Sequence, residues 1–328
     1  MLAILSVTFP FFALILAGYV AARRRLLPLD AIPGLNGFVL FFALPCMLYR
    51  FGASTPLALL LDPVLAAVYT LCALVLVVGV VAADRRRLGW NDAALGALVA
   101  AFPNSGFMGV PLLVALLGAS AAGPVMLTLV VDLLLTTSLC VALSRLDAAG
   151  AAGARQALAR ALQGVARNPM PWSIVLGMAC QAFGVQLWQP LDATVALLAA
   201  AASPVALFTI GAVLARSQML ASRDQDSDHG QREHRPVPWR EVLPVVVLKL
   251  FAHPLLVWGA GMGAMALGLP ITPFSLTAMV LAAALPSASN VSLLAERFGA
   301  NNGRIARIIL WSTAAAFFTF SAAVALLR

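Results

Sequence analysis

Apolar stretches of about 20 residues recur ten times along the chain. They are separated by segments rich in arginine, proline, glycine and polar side chains. About 20 mostly apolar residues are what a helix needs to cross the hydrocarbon core of a bilayer. The stretches fall near residues 2–22, 34–52, 63–83, 92–117, 121–144, 171–188, 193–215, 241–267, 273–295 and 304–327. The pattern predicts an all-α integral membrane protein of ten transmembrane helices. The first stretch has no basic run before it and is followed at once by Arg23, Arg24 and Arg25, so it reads as a retained span rather than a leader.

Composition agrees. Of 328 residues, 62% are hydrophobic and 10% charged, against roughly 45–50% and about 25% in a soluble domain. Cys46, Cys72, Cys140 and Cys180 lie inside apolar runs without metal-ligand or redox spacing, so they read as packing residues. The net charge of +8 does not mark a nucleic-acid surface, because 18 of the 21 basic residues fall in, or within four residues of, the loops after spans one, three, five, seven and nine. Basic residues stay cytoplasmic, so both termini are expected on the opposite side, which in a bacterial inner membrane is the periplasm. Leu158, Leu162 and Val165 at helical spacing among arginines suggest an interfacial helix in a linker over 145–170. A loop over 216–240 has no apolar period and is expected to be mobile. Its His229 and His234 read as solvated rather than as a metal site.

Five spans per half make the second half enter the membrane from the opposite side, giving repeats over 1–144 and 171–328. The prolines pair accordingly, Pro45 in span two with Pro204 in span seven, and Pro103 in span four with Pro286 in span nine. Proline removes an amide donor and obstructs the preceding turn, so spans four and nine are expected to be broken near their middles. A break in lipid is tolerated only where the freed backbone faces protein or a watery cavity. Small and polar residues follow each break: Asn104, Ser105 and Gly106 after Pro103, and Ser287, Ser289 and Asn290 after Pro286. Half-helix amides with their positive dipole ends favour an anion, and a carboxylate suits these Asn and Ser donors. Hinge or packing roles for the same residues are the competing reading.

The stretches FPNSGFMGVPLLVALLG and ALPSASNVSLLAERFG, with NGFVLFFALP, ARNPMPWSIVLG and PVALFTIGAVLA, resemble the auxin efflux carrier family over nearly the whole chain. The resemblance implies two inverted five-helix repeats with broken, crossing helices four and nine. It also implies a scaffold domain through which the protein forms a homodimer, and substrate at the crossing near Pro103, Asn104 and Pro286. Its bacterial branch implies transport of a small organic acid such as malonate or malate. Ser287 stands where plant members carry Gln, which favours an aliphatic acid over an auxin-like aromatic one. No cofactor is expected; coupling to protons or to sodium stays open.

Asp132, Lys249 and His253 lie inside expected spans, where a charge costs about 2.5–3.5 kcal/mol on insertion scales and needs a partner or a watery path. Lys249 and His253 share a helix face, for substrate attraction or charge pairing, with a lysine that snorkels to the interface as the alternative. Enzyme signatures such as HExxH, GxSxG and the Walker loop are absent. A channel or receptor is the rival among membrane proteins, and paired broken helices favour alternating access over it.

Overall fold

A computed structural model describes residues 2–55, 62–146, 169–226 and 237–327, and the regular elements among them are helical. In chain order they are α1 (Leu2–Arg23), α2 (Leu29–Ser54), α3 (Pro63–Ala101), α4 (Ser105–Leu117), α5 (Ala119–Leu143), α6 (Pro169–Ala182), α7 (Gln189–Asp226), α8 (Trp239–Ala266), α9 (Pro273–Ala283), α10 (Asn290–Phe298) and α11 (Asn302–Leu327). Local chemistry sets several boundaries. Asp62 accepts from the amides of Val64 and Leu65 at 2.9 and 3.0 Å, and Pro63 follows it, so α3 starts there. Thr272 and Pro273 open α9 in the same way. Gly118, at φ 92°, ends α4 in a conformation that other residues rarely adopt.

Among the described residues, seven helices are long and apolar enough to cross a membrane: α1, α2, α3, α5, α7, α8 and α11. The protein is therefore a multi-pass membrane protein. The expected spans four and nine are not single helices, because each is interrupted after its first half, between Ala101 and Ser105 and between Ala283 and Asn290. The expected span six corresponds to the 14-residue α6.

Two sequence expectations shift. Arg85–Arg87, read as a loop, are helical: α3 continues through them to a break at Gly89 (φ 81°, ψ 170°), where glycine supplies the conformation that ends the run. The segment after Ser217, also read as a loop, stays helical to Asp226, and the Tyr19 hydroxyl donates to Gln218 Oε1 at 2.6 Å. The interfacial helix expected near Leu158–Val165, and His229 and His234, lie outside the described residues.

Four spans contain a π-helical turn: Val39–Ala43, Ser105–Gly109, Asp132–Thr136 and Leu248–Ala252. Three of these turns are followed two residues later by Pro45, Pro111 or Pro254. A proline cannot donate to the preceding turn, so the widened turn relieves its clash with the backbone.

The helices pack in two groups. α1 packs on α7 and α2 packs on both α6 and α7, while α3, α5, α8, α9 and α11 form the second group. The first is closed by glycines, as expected where lipid supplies no hydrophobic drive and close backbone approach must hold helices together. A side chain at Gly18 would run into the Phe208 carbonyl of α7, and one at Gly211 into Ile15 and Tyr19 of α1. Gly52 of α2 and Gly177 of α6 meet each other's helix in the same way. Gly211→Val is therefore expected to destabilise the protein by about 1–3 kcal/mol or more through overpacking. It should lower the thermal midpoint in detergent, whereas Gly259→Ala, which faces open space, should not.

In the second group residues 93–110 and 278–288 are buried without interruption. One end of this group is fastened by Arg304, which is 1% exposed. Its guanidinium donates to Asp84 Oδ2 at 2.6 Å, the Asp92 carbonyl at 3.1 Å and the Glu241 carbonyl at 3.2 Å. The Asp92 side chain accepts from the Asn301 amide, and Asn91 donates to the Phe298 carbonyl at 3.0 Å. One residue of α11 thus joins both sides of the Gly89 break to the start of α8.

Candidate functional site

The two interruptions meet. Their residues Pro103 and Ser287 face each other as an antiparallel bridge, with the Asn104 amide donating to the Pro286 carbonyl at 2.8 Å and the Ala288 amide to the Phe102 carbonyl at 2.9 Å. Proline explains why the bridge forms. Pro103 and Pro286 end the regular pattern of their spans, and the freed backbone groups of one segment satisfy those of the other. Neither segment faces lipid; Phe102 through Val110 and Leu285 through Ala288 are buried.

Around this bridge polar groups are left over. Ser105 Oγ, Ser287 Oγ and Asn290 Oδ1 are buried without a hydrogen-bond partner, and the Asn104 side chain, 5% exposed, makes no hydrogen bond to a described residue. The Asn104 carbonyl instead accepts from Met108 and Gly109, starting α4. First-turn amides of α4, around Gly106 and Phe107, have no upstream helical carbonyl to bond. Gly109 is close under Leu285, where an added Cβ would sit 2.7 Å from Cδ1 and the leucine side chain would have to shift. Ser289 uses its carbonyl to accept from Ser292.

A second polar cluster is buried among α3, α5, α8 and α9. Asp132, fully buried on the π-helical turn of α5, accepts from Tyr69 Oη at 2.7 Å and Thr136 Oγ1 at 3.0 Å. Lys249, also fully buried, donates to the Ala283 carbonyl at 2.9 Å and lies 3.0 Å from His253 Nδ1. Ala283 is the last residue of α9 before its interruption, so the ammonium occupies the negative end of that half-helix. The His253 ring lies 5.7 Å from Tyr69, and its Nε2 has no partner.

The chain matches the model of the family described as "Membrane transport protein" over residues 3–324. It belongs to this family, the auxin efflux carriers. A protein named "Putative malonate transporter" from Rhizobium meliloti (strain 1021) is 30% identical over 334 residues, covering 99% of this chain and 96% of that one. "Uncharacterized transporter YfdV" from Escherichia coli (strain K12) is 27% identical over 302 residues, with 88% and 86% covered. The same name and values apply to a protein from Shigella flexneri.

In this auxin efflux carrier homologue, the residues singled out by sequence form two sets. Pro103, Asn104, Ser105, Gly106, Pro286, Ser287, Ser289 and Asn290 gather at the bridge, and Asp132, Lys249 and His253 at the polar cluster. Lys249 is not a snorkelling side chain; both of its bonds are internal. Sequence reasoning missed Tyr69, Thr136, Ser203 and Ser312. Ser312 Oγ accepts from the Ser287 amide at 3.2 Å, and Ser203, beside Pro204, donates to the Phe107 carbonyl at 3.3 Å. The only advance signal for Ser203 was its place next to that proline.

Proposed function

We propose that this protein is a secondary transporter that carries a small organic acid anion, of the malonate or malate type, across the bacterial inner membrane by alternating access. The anion binds at the bridge between the two broken spans. The observation that carries this reading is the pair of buried, unpartnered Ser105 and Ser287 hydroxyls, which can donate to an anion, at the bridge where two helices are interrupted against each other. Hydroxyls buried without partners cost about 1–3 kcal/mol each, and a carboxylate that accepts from them recovers that cost. The name of the Rhizobium meliloti relative supports a short dicarboxylate.

Ten membrane passages in two inverted repeats fit the same reading. The α3 run of 39 residues would span about 58 Å as one helix, nearly twice the hydrocarbon thickness of about 30 Å. Its break at Gly89 divides it between passages three and four. The glycine contacts support the inversion: Gly52 follows Pro45, and Gly211 follows Pro204, at the same interval, and each meets the first helix of the other half. The group α1, α2, α6 and α7 is the scaffold and the surface for a homodimer; the other group is the moving transport domain. Both termini face the periplasm. A single cysteine at Arg86 should label only from the cytoplasm in intact cells, and a C-terminal periplasmic reporter should be active; the reverse pattern overturns the topology.

The function is tested by thermal shift of purified protein with malonate, malate, other short acids and indole acids, followed by counterflow in liposomes. Stabilisation by a short dicarboxylate and saturable counterflow are expected. Stabilisation by indole acids alone points to an aromatic acid exporter, and currents at channel rates point to a pore.

A further inference from the structure

The polar cluster of α3, α5, α8 and α9 has chemistry that the anion site does not use. We propose that Asp132, held by Tyr69 and Thr136 beside the Lys249–His253 pair, is a proton-binding site that couples acid uptake to the proton gradient, with Lys249 as a tethered cation in place of sodium. The proposal rests on the transport reading.

An ammonium has three donors and no acceptor, so Lys249 donates both to the Ala283 carbonyl and to His253 Nδ1. The network therefore assigns the histidine proton to Nε2. A second proton on this pair would set two cations 3.0 Å apart. Asp132 is the acceptor that remains. As a carboxylate it receives the Tyr69 and Thr136 hydroxyls. Once protonated, its new O–H donates to one of those same oxygens, since a hydroxyl can turn from donor to acceptor. Both states are hydrogen-bonded without movement of the backbone, as a reversible proton site requires.

A sodium ion would need the carbonyl at the interrupted end of a half-helix. That ligand, Ala283 O, is already taken by Nζ. The other ionisable groups on these helices near the cluster are thiols, Cys72 one turn after Tyr69 on α3 and Cys140 about two turns after Asp132 on α5. α9 offers backbone only, and α11 has no ionisable side chain between Arg307 and Arg328.

The step balances simply: one proton from water joins one carboxylate oxygen of Asp132. The cluster passes from neutral to a net charge of one positive unit on Lys249, bonded to α9 just before the Pro286 interruption. That charge favours an anion at the bridge, so proton and acid bind together and move in the same direction.

Purified protein in liposomes, with radiolabelled malonate, provides the test. An inward gradient of one pH unit should accumulate malonate up to about tenfold for one proton per acid. A sodium gradient at equal pH should give a ratio near one. Asp132→Asn should hold the ratio near one under the pH gradient. A sodium-driven ratio, no response to the pH gradient, or parent-like accumulation by Asp132→Asn overturns the proton site. If Asp132→Asn does not fold, Tyr69→Phe, which removes one of the hydroxyls that bond the carboxyl, should shift the pH dependence of accumulation, and an unshifted profile overturns the proton site. Absence of malonate counterflow in the parent overturns the transport reading and the coupling with it, whereas counterflow without pH drive overturns the coupling only.

Discussion

Arg304→Ala is expected to cost about 3–5 kcal/mol, the cost of removing one partner from a buried ion pair, and to abolish recovery of monodisperse protein from detergent. Three acceptors on α3 and α8 lose their donor together: the Asp84 carboxylate, the Asp92 carbonyl and the Glu241 carbonyl. Lysine should rescue little, because a point charge cannot fill the separate directions of a guanidinium fork. Gly96→Ala should produce a milder version of the same defect, since a Cβ there would lie 2.6 Å from an Arg304 terminal nitrogen. Size-exclusion profile and thermal midpoint are the measurements. An Arg304→Ala protein as stable as the parent would show that the network is dispensable.

Asn104→Ala carries the second large effect, on affinity rather than on folding. The backbone of Asn104 is already committed to Pro286, Met108 and Gly109, and alanine keeps those bonds. Only the carboxamide of the residue that precedes Ser105 and lies across the backbone bridge from Ser287 is removed. Loss of one hydrogen bond to a charged group costs about 1.5–3 kcal/mol, so malonate binding should weaken about ten- to hundredfold while the elution profile is unchanged. Binding as tight as the parent's would make the bridge a hinge and not the anion site.

The sequence carried the interruptions openly, because proline acts on its own helix and needs no distant partner to be read. It did not carry the register in which they meet. Pro103 meets Ser287, and not Pro286, through main-chain bonds that any residue other than proline could donate. Lys249 and Asp132 were visible as charges in apolar runs, but the partners of Lys249 are a backbone carbonyl and a histidine, and carbonyls carry no side-chain signature. Tyr69 was hidden by the aliphatic stretch around it. Arg304 was not singled out, for a different reason: counting basic residues at span ends treats each as solvated, and its acceptors are far away in sequence, on either side of Gly89 and at Glu241.

The main-chain character of the bridge has a consequence for how the site can change. Its geometry is held by amides and carbonyls of residues 102–104 and 286–288, while Ser105, Ser287 and Asn290 contribute side-chain atoms that bond nothing else. Those side chains can be exchanged without dismantling the frame. Selectivity for chain length or for a second carboxylate is thus open to redesign, and to natural drift, through a few positions on one fixed backbone.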